Sequence, residues 1–208
     1  MIPGFHCDSL EFHGTARLIE PLAEMGFGAV AIRPRRGGWD IDAPWFETAS
    51  AEISAAAKEH DVAIVIDLDS PFYNDAGAAE GYSIASNDSS VRTRAVGQIG
   101  RWIERTQDIC PIAITFSTGR ATAGGQKNSE EEAHGEAVLE RLAEAIESLC
   151  ERASSVGVEL ALRPVSDHAI ATVAHFERFE QWHGSSSTLG LAADVGEMLR
   201  AGEFPIGA

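Results

Sequence analysis

Four arginines are placed where they could together bind an anion. Arg33, Arg35 and Arg36 follow an apolar segment that predicts the second strand, and Arg163 follows a later one. Parallel barrels place their sites at the carboxyl ends of their strands, so these side chains are expected at one end of the sheet. Guanidinium groups bind phosphate or carboxylate through forked hydrogen bonds. The alternative for Arg33, Arg35 and Arg36 is a solvated basic turn in an acidic protein.

Other polar residues also stand at the ends of predicted strands. His6 ends the first predicted strand, and Asp67 and Asp69 end the third. His6 is interpreted as a contact to a substrate oxygen, with a partly buried, hydrogen-bonded histidine as the alternative. For Asp67 and Asp69, as for the arginines, a role in the site and a purely structural role are both left open. The neighbours Asp167 and His168 resemble an acid and base pair, although adjacent residues rarely present both side chains to one substrate.

The charge and composition of the chain exclude several classes of partner. Its 208 residues include 32 acidic and 16 basic ones, so the formal net charge is −16. This charge repels nucleic-acid phosphates and anionic membrane surfaces, and neither is expected as a partner. No segment approaches the ~20 apolar residues of a membrane helix. No glycine-rich phosphate-binding motif supports a nucleotide cofactor.

Cysteine usage and the first residues suggest the compartment. Cys7, Cys110 and Cys150 are widely spaced and form neither a disulfide framework nor a zinc motif. The first residues lack a basic stretch leading into an apolar one, as a secretion signal requires. We therefore expect a cytoplasmic protein.

Apolar, β-branched segments alternate with segments of helical periodicity, which is typical of a parallel sheet with crossover helices. The predicted strands are residues 2–7, 29–32, 62–68, 112–116, 158–162 and 189–193. The predicted helices are residues 15–25, 44–60, 91–103, a fourth that starts at Asn128 or Ser129 and ends at Gly157, and 172–182. Ser129 and Glu132 have the spacing of a capping box. The long polar segment 70–90 is a candidate site loop.

Six such units predict an α/β protein of the TIM-type (β/α) barrel class, with about six of the eight units of a complete barrel. We expect one domain spanning residues 1–208, incomplete at its C-terminal end. An unclosed sheet leaves its first and sixth strands with unpaired edges. A homo-oligomer or covering loops are therefore expected, and the alternative is that the sequence is shorter than the natural gene product.

Five passages resemble the sugar phosphate isomerase/epimerase family with the xylose-isomerase-like barrel. Residues 6–10 (HCDSL) resemble the end of its first strand, and residues 22–27 (LAEMGF) resemble its step into the second. Residues 157–164 (GVELALRP), 189–198 (LGLAADVGEM) and 202–206 (GEFPI) match its fifth and sixth strands in order and spacing. The resemblance thus covers nearly the whole chain.

The resemblance implies a metal site with departures from the family pattern. In such proteins strand five usually ends in glutamate, and strand six ends in aspartate, two residues and then histidine. With ligands from strands seven and eight, these side chains hold a divalent metal while a carboxylate moves a proton between neighbouring carbons. Here Asp194 matches, Arg163 stands at the glutamate position and Glu197 at the histidine position.

The departures leave two interpretations of the same residues. Asp194 and Glu197 are the candidate catalytic residues and ligands for Mn²⁺ or Mg²⁺, since hard oxygen donors suit these ions. Arg163 has no lone pair for a metal, would repel a cation, and would pair with Asp194 or Glu197 instead. His6, Arg33 and Arg163 are the candidate substrate-binding residues.

By resemblance, the expected function belongs to carbohydrate metabolism. It is the isomerisation or epimerisation of a small sugar or sugar phosphate by metal-assisted proton transfer, with a degenerate metal site. The alternative is a catalytically inactive barrel that binds a small anionic metabolite or a partner subunit.

Overall fold

The alternating strand and helix segments assemble into one parallel sheet. A computed structural model of the chain describes residues 2–10, 13–35, 38–69, 83–121, 135–184 and 189–203. Its strands are β1 (Gly4–His6), β2 (Ala29–Ile32), β3 (Ala63–Asp67), β4 (Ala113–Phe116), β5 (Glu159–Leu162) and β6 (Leu189–Leu191). Their spatial order is the sequence order, and every neighbouring pair is parallel. The predicted α/β architecture of six parallel strands is confirmed.

Helices connect consecutive strands and also follow the last one. They are α1 (Thr15–Glu24), α2 (Phe46–Glu59), α3 (Ser89–Arg105), α4 (Glu136–Val156), α5 (Val173–His183) and α6 (Val195–Arg200). A short 3-10 helix, Cys7–Leu10, follows β1. Gly157 ends α4 with φ of +72°, a left-handed conformation that glycine adopts without strain.

Several sequence-based expectations lie outside the described residues. They are the predicted start of the fourth helix at Asn128 or Ser129 with its partner Glu132, the side chain of Arg36, and residues 70–82 of the candidate loop. Among the described residues, α4 begins at Glu136 with Gly135 at its N-cap.

The pleat of the strands divides the sheet into two faces. One face carries large, fully buried side chains: Val30, Ile32, Ile64, Ile66, Ile114, Phe116, Leu160 and Leu162. They join helix residues such as Ile19 and Phe46 in one apolar core. The opposite face, here called the small-residue face, carries half-buried residues: Ala29, Ala31, Ala63, Ala113 and Ala161. Because side chains alternate along a strand, residues two positions past these share the small-residue face.

The two outer strands of the described sheet are β1 and β6. Apolar side chains are exposed beside β6: Leu191, Val195 and Leu199. The expectation of a homo-oligomer or covering loops at these edges stays a prediction. Among the described residues, no helix is both long enough and apolar enough to cross a membrane.

A three-ring aromatic cluster joins the segment after β2 to α2 and α3. The rings of Trp39 and Phe46 stack with centroids 5.6 Å apart. Trp102 lies 5.1 Å from Trp39 and 5.7 Å from Phe46. The indole nitrogen of Trp39 donates to the hydroxyl of Ser50 at 3.0 Å. This cluster fixes the position of the chain that leaves the carboxyl end of β2.

We predict that Trp102→Ala destabilises the fold by about 3–5 kcal/mol, because Trp102 is 1% exposed and its removal leaves a cavity in this cluster. Chemical denaturation measures the change. The matched control is Trp182→Ala at the end of α5, where the side chain is 43% exposed and a loss below about 1 kcal/mol is expected. Equal losses in the two variants would contradict the packing described here.

Candidate functional site

Side chains from four strands meet at the carboxyl end of the small-residue face. His6 ends β1 and Asp67 ends β3, while Arg33 and Arg163 come directly after β2 and β5. Each stands an even number of residues past a residue of that face, so the pleat directs all four to the same side. The strand register staggers them: His6 pairs with Ala31, two residues before Arg33, and the residue in register with Asp67 on β5 is Ala161, two residues before Arg163. The site is therefore built by strand geometry.

The carboxylate of Asp67 is the centre of this site. Its Oδ2 atom accepts hydrogen bonds from His6 Nε2 at 3.0 Å, Arg33 Nε at 3.1 Å and Arg163 Nη1 at 3.2 Å. Its Oδ1 atom accepts from the Thr115 hydroxyl at 3.2 Å. The side chain of Asp67 is 4% exposed. A charge buried to this degree is stable only when it is paired and hydrogen-bonded, as it is here.

The tautomer of His6 follows from its two contacts. Its Nδ1 atom accepts the backbone N–H of Asp8 at 3.2 Å, so this nitrogen carries a lone pair in the neutral ring. The proton then lies on Nε2, which donates to Asp67. The interpretation of His6 as a partly buried, hydrogen-bonded histidine agrees with these contacts, while its contact with a substrate stays a prediction.

Asp69 forms the second carboxylate of the site. It accepts from Arg163 Nη2 at 2.7 Å, and from the hydroxyl and backbone N–H of Ser117 at 2.7 and 3.0 Å. Arg163 thus bridges Asp67 and Asp69. Sequence reasoning expected Arg163 to pair with Asp194 or Glu197, and the structure corrects this. The guanidinium group, on the small-residue face, meets the carboxylates that share that face.

Asp8 extends the site towards the outside of the sheet. It pairs with Arg33, and its Oδ1 atom accepts from Arg35 Nη2 at 2.6 Å. We define the Asp67 network as seven residues: His6, Asp8, Arg33, Arg35, Asp67, Asp69 and Arg163. Its three arginines face three aspartates, so its formal charges balance if His6 is neutral.

The pKa values in the network reflect burial and pairing. Burial alone would raise the pKa of Asp67, but the hydrogen bond from His6 and the charges of Arg163 and Arg33 outweigh it and hold that pKa well below its usual range. Burial raises the pKa of Asp69, opposed by the charge of Arg163. For Arg163, burial lowers the pKa, and the charges of Asp69, Asp67 and Asp194 reverse this into an increase.

Asp194 and Glu197 make hydrogen bonds and an ion pair within helix α6 and to a neighbouring loop. Asp194 is the N-cap of α6, and its Oδ1 atom accepts from the backbone N–H groups of Gly196 at 2.8 Å and Glu197 at 3.2 Å. Glu197 accepts the backbone N–H of Ser166 at 3.2 Å and pairs with Arg200 at 3.1 Å. Their catalytic and metal-binding roles stay predictions.

The donors at this end of the sheet do not fit a divalent ion. Arg163 occupies the end of β5 and supplies no lone pair, and it holds the carboxylates of Asp67 and Asp69 in ion pairs. Within the described ranges, no group of three or more His, Cys, Asp and Glu side chains is arranged to hold a metal ion. The Nε atom of Arg163 is buried without a hydrogen-bond partner, so this donor is left for an oxygen from outside the described residues.

His168 lies beside the network as a half-buried imidazole. Its Nδ1 atom accepts the backbone N–H of Gly119 at 3.3 Å. Burial, followed by the charge of Arg120, lowers the pKa of His168 to about 4. The neighbouring Asp167 pairs with Arg120 at 3.5 Å. Asp167 and His168 therefore have different partners, as expected for adjacent residues.

Sequence reasoning grouped some of these residues and missed others. His6, Arg33 and Arg163 were selected as substrate-binding candidates, and the structure brings all three to Asp67. The roles of Asp8 and Thr115 were not anticipated. The signal that could have found Thr115 is its pairing with Asp67 in neighbouring strands, because both continue the small-residue face.

This architecture of strand-linked helices, with polar side chains gathered at the carboxyl ends of parallel strands, is that of a β/α barrel. The chain belongs to the xylose isomerase-like TIM barrel family, whose model matches residues 19–207. The predicted family is therefore confirmed. A comparison of the sequence with curated proteins finds no match.

Solved structures share this fold at low sequence identity. The apo 3-keto-D-glucoside 4-epimerase YcjR from E. coli has a TM-score of 0.70 at 15% identity, over 96% of this chain and 70% of that one. D-psicose 3-epimerase in the presence of D-fructose has a TM-score of 0.71 at 15% identity, over 96% and 65%. The IOLI protein with a bound zinc atom has a TM-score of 0.67 at 12% identity, over 95% and 68%. The chain thus spans about two thirds of the length of these structures, and the likeness establishes the fold.

We predict that Asp67→Asn destabilises the protein by about 3–5 kcal/mol, because it removes a buried charge that the half-buried Arg33 and Arg163 guanidinium groups share as their anion. Denaturant unfolding at neutral pH measures this change. The matched control is Asp42→Asn, which removes a pair with Arg101 from a side chain that is 68% exposed. That loss should stay below about 1 kcal/mol.

We also predict a pH-dependent loss of stability that depends on His168. The pKa is about 4 in the folded chain and 6.5 for the unperturbed group, so the unfolded chain takes up the proton first as the pH falls. Stability is therefore lost between pH 6.5 and pH 4. From pH 7.5 to pH 5, the wild type should lose up to about 2 kcal/mol more than His168→Gln, whose amide oxygen can still accept from Gly119. Parallel pH profiles for the two proteins would refute the lowered pKa of His168.

Proposed function

We propose that this chain binds a small sugar-like or anionic metabolite without a divalent metal, and does not carry out metal-assisted isomerisation. The observation that carries this proposal is the position of Arg163, which extends from the end of β5 and donates to both Asp67 and Asp69. By resemblance, a metal-binding glutamate would stand at this position. In this chain the cation at that position is the guanidinium group of Arg163 itself, and its acceptors are Asp67 and Asp69.

Electrostatics supports a site without a metal. Unit charges ~4 Å apart interact by ~4 kcal/mol at an effective dielectric of about 20, and a divalent ion doubles this repulsion from each guanidinium group. Arg33 and Arg163 both contact Asp67, so an ion bound there would meet two such groups. It would also have to break the pairs that offset the burial of the carboxylates.

The remaining hydrogen-bonding capacity suits a hydroxylated or anionic ligand. The Nε atom of Arg163 is a buried donor with no partner among the described residues, and a movement of the guanidinium group would expose it to a hydroxyl, carboxylate or phosphate oxygen. Arg35 presents a second guanidinium group about one third exposed at the rim of the network. Neither donor requires a metal in order to bind an oxygen.

The second candidate function is metal-assisted isomerisation or epimerisation of a sugar, with Asp194 and Glu197 as metal ligands or as acid and base. It is favoured by membership in the xylose isomerase-like family and by the fold shared with proteins named as sugar epimerases. In this alternative, the Oδ2 atom of Asp194 would coordinate the ion, because its Oδ1 atom accepts the N–H groups at the start of α6.

Metal content and thermal shift distinguish the two functions. We predict that the purified protein contains no stoichiometric divalent metal by emission spectroscopy, and that micromolar Mn²⁺ leaves its melting temperature unchanged. Arg163→Glu, which places three carboxylates together with Asp67 and Asp69, should lower stability and make it respond to Mn²⁺. Arg178→Glu, an exposed charge reversal on α5, is the matched control and should not create a response.

Stoichiometric metal in the wild type, lost in Asp194→Ala, would reject the proposal and establish the second candidate. The wild-type measurement decides between them even if Arg163→Glu does not fold. Asp194→Ala should otherwise cost about 1 kcal/mol through loss of the helix cap, with no change in metal content.

A further inference from the structure

A pocket of about 310 Å³ lies beside the Asp67 network, between the starts of α1 and α2. Its wall is formed by the 3-10 helix after β1, the first turn of α1, the segment after β2 and one side of α2. Its volume is at the lower end of the ~300–1,000 Å³ typical of small-molecule pockets. Asp8, Arg33 and Arg35 belong to both the pocket and the network.

One wall of the pocket is a fixed aromatic surface. Trp45 is 50% exposed, whereas tryptophan is highly buried on average. Its Nε1 atom donates to the carbonyl of Gly38 at 3.0 Å, so the ring has a defined orientation. Buried Trp39 and Ile53 also line the pocket. An apolar or ring-shaped part of a ligand can pack on this surface without an ordering cost for the protein.

The charged residues around the pocket favour an anion. Arg17, Arg33 and Arg35 line it together with Asp8 and Glu52, so its formal charge is positive by one, whereas the whole chain carries −16. Asp8 contacts both Arg33 and Arg35 and holds their side chains in place. Preformed guanidinium groups bind phosphate or carboxylate through forked hydrogen bonds.

The first turn of α1 adds to this positive character. Gly14, Thr15 and Ala16 line the pocket, and Gly14 is the N-cap of α1 and has no side chain with which to cap it. The N–H groups of a first helical turn carry a partial positive charge that attracts anions. This feature reinforces the arginines on the same wall.

The chemistry of Cys7 favours non-covalent binding. Burial, followed by the charge of Asp8, raises the pKa of the Cys7 thiol to about 11. The thiolate is the nucleophilic form of cysteine, and it is scarce at neutral pH when the pKa is this high. Cys7 therefore contributes a small apolar surface to the pocket.

We infer that this pocket binds a small organic anion, with its phosphate or carboxylate group at Arg17 and Arg35 and its ring or carbon chain against Trp45. The inference names a ligand class for the metal-independent binding proposed above and rests on that proposal. The shared chemistry is one anionic group on a compact body of roughly monosaccharide size.

Isothermal titration calorimetry in EDTA tests the inference with three probes of the same carbon number: glucose 6-phosphate, gluconate and glucose. We expect at least one anionic probe to bind and glucose to bind at least about tenfold more weakly. The two anionic probes distinguish a phosphate from a carboxylate site. Inorganic phosphate alone measures the contribution of the anionic group.

Matched variants locate the binding site. Arg17→Gln and Trp45→Leu should each weaken binding of the anionic probe by about tenfold. Arg178→Gln and Trp182→Leu change an exposed arginine and an exposed tryptophan on α5, outside the pocket, and should leave binding unchanged. Unfolding curves for all four variants show whether a loss of binding reflects a loss of fold.

The possible results separate this inference from the proposed function. Absence of binding by both anions at millimolar concentration, equal binding of glucose, or equal losses in the α5 controls would overturn the inference and leave the metal-independent proposal standing. Binding that occurs only when Mn²⁺ replaces EDTA would overturn both.

Discussion

The carboxylate of Asp67 must be paired, and much of the carboxyl end of the sheet is arranged to pair it. It is 4% exposed, and a buried charge without partners costs several kcal/mol. Four strands besides its own contribute to meeting this requirement: β1 through His6, β2 through Arg33, β4 through Thr115 and β5 through Arg163. The meeting of these side chains at one end of the sheet and the electrostatics of the site therefore have one common cause.

Arg163 changes the character of this site more than any other residue. A long cationic side chain at the end of β5 requires acceptors, and Asp67 and Asp69 supply them from the same face of the sheet. The network then holds its own cations, so its acidic groups offer few lone pairs to an external ion. At the rim of the network lies Arg35, which is about one third exposed, and guanidinium groups bind carboxylate and phosphate oxygens.

The order of the elements could be predicted from the sequence because buried segments must be apolar and can therefore be recognised by their composition. Nearly continuous apolar segments such as residues 62–68 identify strands covered on both faces. Grouping His6, Arg33 and Arg163 needed only their positions after strands. The partner of Arg163 could not be obtained in this way, because β3 and β5 are separated by β4 and no local pattern encodes a distance across strands. Asp194 and Glu197 are three residues apart at the start of a helix, which is the spacing of a capping box. The structure shows that Asp194 is the N-cap of α6.

The pocket and the network are electrostatically linked because they share Asp8, Arg33 and Arg35. The proposed anion at Arg35 would compete with Asp8 for the same guanidinium group, and Asp8 would then interact more strongly with Arg33. Arg33 also donates to Asp67, so a change in the pocket alters the pairing of the buried carboxylate. Because Arg163 pairs with Asp67 from the β5 side, Arg33 is one of two arginines that hold this carboxylate. Arg33 also lines the pocket, so it is the side chain through which the pocket and the buried carboxylate are coupled.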